Sequence, residues 1–101
     1  MRSFTLLFCI RLLSAMNSNA ISKASAALKA GLFKEALEHI SIAQKEDPKN
    51  ADIHRMKALL HESLDQPRKA LKCWEACLEY SKDKNIRNEA KVHIQSLTAE
   101  E

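Results

Sequence analysis

From residue 18 onward, apolar and small side chains recur every three or four positions, the spacing that lines one face of an α-helix. Ala20, Ile21, Ala24, Ala27 and Leu28 predict a first helix over residues 18–30, with Asn17 or Ser18 as its cap. Phe33, Ala36, Leu37, Ile40 and Ala43 predict a second over 33–46. Ile53, Met56, Leu60 and Leu64 predict a third over 51–64, which Asn50 can cap. Pro67 suits the first turn of a fourth helix, where its missing N–H is harmless. Asp65 or Gln66 caps that helix, which buries Ala70, Leu71, Trp74, Cys77 and Leu78. A fifth opens at Asn85 and carries Ile86, Ala90, Ile94 and Leu97. No apolar–polar alternation of the kind a half-buried strand needs is visible, so the predicted fold class is all-α. Links of two to five residues make consecutive helices antiparallel neighbours.

The turns carry the most specific signal. Gly31 lets the backbone reverse tightly, Phe33 fills the hinge, and Pro48 in Asp47-Pro48-Lys49-Asn50 stops the helix before the next begins. The pattern of small and apolar helix positions recurs. Shifting the chain by 34 residues lays Lys23-Ala24 on Lys57-Ala58, Ala36-Leu37 on Ala70-Leu71, Ile40 on Trp74 and Ala43 on Cys77. A second shift lays Lys57-Ala58 on Lys91-Val92 and Leu60 on Ile94. Small and apolar positions agree better than identities do.

These residues resemble the tetratricopeptide repeat family, whose period is 34. Residues 17–50 resemble one nearly complete repeat through Ala24, Gly31, Phe33, Ala36, Ile40, Ala43, Pro48 and Asn50. Residues 51–84 resemble a degenerate second repeat, with Asp65 for the turn glycine, Pro67 for the aromatic and Lys82 for the terminal proline. Residues 85–98 resemble the solvating helix that closes such arrays, and 99–101 form a tail. The resemblance implies a right-handed stack of antiparallel hairpins, in a domain spanning 17–98.

Composition narrows the function. At 101 residues there is room for one domain with a thin core. A net charge of +3, with both signs interspersed from Lys34 onward, reads as a solvated surface. Three cysteines without a clear secretory signal point to a reducing compartment, hence the cytoplasm. Cys73 and Cys77 lie four apart on one helix face, and no further Cys or His pair completes a metal site at the usual spacing, so core packing is their predicted role.

Residues 1–16, MRSFTLLFCIRLLSAM, stand apart. Their apolar run is too short to span a bilayer, and Arg11 breaks a secretory pattern. They read first as an unstructured extension ahead of Met16, and Arg2 and Arg11 among Ser, Leu and Phe suit a mitochondrial presequence as the alternative. A mitochondrial assembly factor with the same fold rests on this segment alone.

Catalysis finds no footing. His39, His54, His61 and His93 are dispersed over three helices, and His54 and His61 lie about 10 Å apart along theirs. No activated serine, phosphate-cradling glycine loop or carboxylate pair is identifiable, and no cofactor or metal is implied. Lys69, Lys72, Lys82, Lys84, Arg87 and Lys91 thicken toward the end, but Glu75, Glu79, Asp83 and Glu89 interrupt them, so an RNA-binding accessory role is the lesser alternative.

The predicted role is a protein-interaction adaptor that holds a partner peptide or docks onto a larger assembly. The resemblance places its groove on Ile21, Ser25, Leu28 and Lys29 of the first hairpin and Asp52, Arg55, Leu59 and Glu62 of the second. Where family members clamp chaperone C-terminal carboxylates with Lys and Asn, this chain has Ile21, Ser25 and Met56, which disfavours that activity. A homo-oligomer or larger array would relieve the thin core.

Overall fold

The structure, a computed structural model, describes residues 19–99, and these are helical throughout apart from short turns, with no strand among them. Helix α1 occupies 19–29. It is followed by α2 (Phe33–Glu46), α3 (Ala51–Ser63), α4 (Pro67–Tyr80) and α5 (Lys84–Ala99). The all-α class stands. The targeting or extension segment 1–16, the expected caps Asn17 and Ser18 and the last two residues lie outside the described part.

The 34-residue period is visible in the backbone. At the end of α1, Gly31 adopts φ 78°, and at the end of α3, Asp65 adopts φ 57°. In both places the residue after it donates its N–H back across the turn, Leu32 to the Ala27 carbonyl and Gln66 to the His61 carbonyl, each at 2.8 Å. Gly31 and Asp65 themselves donate to Leu28 and Glu62, each at 3.1 Å. This is the two-bond Schellman closure, which needs a left-handed residue at its centre. Glycine adopts that conformation freely, and aspartate tolerates it better than most. Asp65 therefore does the backbone work of Gly31.

Burial follows the same period. Ala24 and Ala58, Ala36 and Ala70, Ile40 and Trp74, Ala43 and Cys77 are all fully buried. The small members let helices approach closely, and Ile40 and Trp74 fill the space between them. α3 is the shared wall. Its Ile53 and Leu60 pack with the alanines of α1 and α2, while its Ala58 packs with α4 and α5 around Trp74, Cys77, Ala90 and Leu97.

Several expected core positions are shallower than predicted. Phe33, Leu37, Met56, Leu71, Leu78, Ile86 and Ile94 are only half-buried, each packed against the outside of one of the two buried clusters. Leu64 has left the helix for the turn, so α3 ends at Ser63. Gln66 rather than Asp65 stands at the start of α4, with no side-chain capping bond.

The second 34-residue shift does not carry through. Asp83 opens α5, its carboxylate accepting the N–H groups of Asn85 at 2.8 Å and Ile86 at 3.4 Å. Asn50 does the same for α3 by accepting from Asp52 at 3.0 Å. The two caps are thus 33 apart, and α5 begins one residue earlier than expected and runs one further, to Ala99. Val92, expected at the place of Ala58, is 64% exposed. Ala58 is covered by α4, whereas no helix follows α5 among the described residues to cover Val92.

Candidate partner-binding surfaces

The expected groove residues fall on α1 and α3, with Ile21, Ser25 and Leu28 standing 34 positions before Arg55, Leu59 and Glu62. On α1, Ile21 and Leu28 lean on the core that contains Ile53 and Leu60, Ser25 is half-buried, and Lys29 is exposed. On α3, Asp52 is exposed in the first turn, where its charge suits the positive end of the helix.

The other three α3 residues are engaged by α5 or α4. The Arg55 Nε donates to Glu89 of α5 at 2.8 Å, and this bond holds the guanidinium above its ordinary value. Leu59 packs against the core around Trp74. Glu62 accepts the Trp74 indole N–H at 2.9 Å and lies 3.0 Å from the His93 Nδ1 of α5. The His93 ring stacks on the indole with centroids 4.2 Å apart and planes at 21°. Only Lys29 and Asp52 of the eight are fully open to a partner.

Sequence reasoning missed the role of two histidines. His54 and His61 are buried, although both read as dispersed polar residues. The His54 Nε2 donates to the Pro48 carbonyl at 2.6 Å while its ring stacks on Tyr80. The His61 Nδ1 donates to the Gln66 side-chain carbonyl at 2.7 Å. Their seven-residue spacing on one helix face was the available signal. Both line a cleft of about 520 Å³ bounded by α2 and α4, with α3 between them.

The cysteines behave as packing residues. Cys77 is fully buried and Cys73 half-buried, and both are free thiols. Burial pushes both thiols up, opposed by Lys57 at Cys73 and by Arg55 at Cys77. Among the described residues no His, Cys, Asp and Glu group is placed to hold a metal, and no helix is long and apolar enough to cross a membrane.

Comparison with family models, curated proteins and solved structures finds no match.

Proposed function

We propose that this chain is a non-catalytic protein-interaction adaptor of the tetratricopeptide-repeat kind, working in the cytoplasm. The observation that carries the reading is the repeated Schellman turn at Gly31 and Asp65, with four pairs of fully buried positions at the same 34-residue spacing. Helical hairpins that stack in this way bury a continuous core and leave side chains of successive helices in register for a partner. Binding to an extended segment or docking along a face are both served by such a surface.

Capture from cell extract with the chain begun at Met16 tests it. A reproducible protein partner is the expected result. The variant Lys29→Glu/Asp52→Lys alters only exposed positions, so it should cost no more than about 1 kcal/mol through the lost acid in the first turn of α3 and weaken a groove-bound partner by tenfold or more. Unchanged capture by that variant would remove the groove, and the absence of any specific partner would remove the adaptor reading.

A further inference from the structure

The cleft between α2 and α4 has an unbalanced charge. Lys57 of α3 and Lys69 and Lys72 of α4 line it together with His54 and His61, and among the described residues no aspartate or glutamate does. Among the described residues only Lys57 of the three lysines has a hydrogen-bond partner, the Gln44 side-chain carbonyl at 2.7 Å. His61 is only 5% exposed, and with Nδ1 committed to Gln66 its Nε2 has no hydrogen-bond partner among the described residues. The Nδ1 of His54, 6% exposed, is in the same position. Where the bonded nitrogen of a neutral imidazole donates, the other is an acceptor, so each free ring nitrogen suits a backbone N–H of a bound segment rather than its carboxylates.

The start of α4 adds to the imbalance. Its first turn holds Pro67-Arg68-Lys69 and no acidic residue, and Gln66 makes no side-chain cap. Cations at a helix N-terminus oppose the macrodipole and destabilise the helix unless an anion offsets them. Lys72, one turn further on, extends the same field. The arrangement makes sense when something negative is bound.

We propose that this cleft binds an acidic segment of a partner protein, with neighbouring carboxylates on Lys57, Lys69 and Lys72 and an aliphatic side chain between Leu37 and Ala76. The inference rests on the adaptor reading and names the chemistry and the place of the partner. Lys69 and Lys72 lie a turn apart on α4 and Lys57 lies on a different helix, so the charge is spread rather than focused on one ion. Among the described residues no arginine lines the cleft to fork around a single phosphate, and lysine acts as a point charge. The apolar walls suit a side chain, and a volume of about 520 Å³ accommodates a short motif.

Titration of the isotope-labelled full chain with a short glutamate-rich peptide containing leucine tests the proposal. Amide shifts should concentrate at Lys57, His61, Lys69 and Lys72, and affinity should fall as salt rises. The variant Lys69→Glu/Lys72→Glu should weaken binding at least tenfold. It places acid in the first turns of α4, which favours that helix, so a retained or raised melting temperature separates lost binding from lost fold. Absent binding, or binding that the double variant leaves unchanged, would overturn the proposal. Preference for tripolyphosphate would overturn it in favour of a small-anion site, and preference for oligouridylate in favour of a nucleic-acid face. Because Lys29→Glu/Asp52→Lys lies outside the cleft, peptide binding should survive it. A partner captured normally by the Lys69→Glu/Lys72→Glu variant would leave the adaptor standing and the cleft discarded.

Discussion

Trp74 is the residue on which the second hairpin turns, and its removal gives the sharpest test of the packing. The side chain is fully buried, and of the buried residues clustered with it Ala58, Ala70, Cys77 and Ala90 are small and only Leu97 is larger. None of them can expand to fill the space. A buried indole of about 150–250 Å² at about 25 cal/mol per Å² corresponds to ~4–6 kcal/mol, close to the ~3–5 kcal/mol observed when large core aromatics are truncated. Across residues 19–99, typical stabilities of about 0.05–0.15 kcal/mol per residue give a total of ~4–12 kcal/mol. Trp74→Ala should therefore remove a third or more of the stability and leave Glu62 without its indole donor. Trp74→Phe keeps most of the ring and loses the N–H bond, for a cost of about 1–2 kcal/mol. Urea unfolding followed by far-UV circular dichroism measures both, since each variant lacks the only tryptophan. A loss under about 1 kcal/mol for Trp74→Ala, with an unchanged denaturant slope, would refute the packing argument.

Two further outcomes follow from the turns and the thiols. Gly31→Ala meets no atom within 4 Å, so its cost of about 1–2 kcal/mol comes from the left-handed backbone alone, while Asp65→Gly should gain up to ~1 kcal/mol; equal urea midpoints for both would discredit the shared turn geometry. Burial raises the thiol values of Cys73 and Cys77 above the ordinary 9.0, so stability from this source is fully present below that value and is lost as pH rises through the raised folded values. Melting temperature should fall more steeply above pH 9.0 for the native chain than for Cys73→Ala/Cys77→Ala, and Cys77 should resist thiol reagents until urea is added; parallel pH profiles would contradict this.

Much of the fold was legible because helix periodicity is local. The bounds of α2 and the start of α4 follow directly from Phe33 and Pro67, whose neighbours dictate a turn and a first helical residue. The centre of the core was legible through Ala24, Ala36, Ala58 and Ala70, since small residues at a fixed period mark close helix contacts. Longer-range polar pairings were not. Arg55 with Glu89 and Glu62 with His93 are 34 and 31 residues apart, and interspersed charge reads as a solvated face until α5 is placed beside α3. His54 and His61 escaped for a related reason, because each is anchored through one ring nitrogen to a turn carbonyl or side-chain amide that periodicity cannot locate.

The placement of α5 bears on where a partner can sit. On the α1–α3 side, each helix lays its row of residues against the next, so Ile21 and Leu28 lean toward the α3 core while Arg55 and Glu62 reach α5. A ligand entering there must compete with an ion pair whose members are 41% and 31% exposed, and with a carboxylate already shared by indole and imidazole. Exposed pairs of this kind are worth about 0–1 kcal/mol, so the first obstacle is slight. The second is larger, because displacing Glu62 strands the Trp74 N–H inside the core. No comparable internal contact closes the α2–α4 side, where one lysine is held by Gln44 and two remain exposed. Binding there gains charge pairing without breaking a core hydrogen bond, and that difference is what favours the cleft.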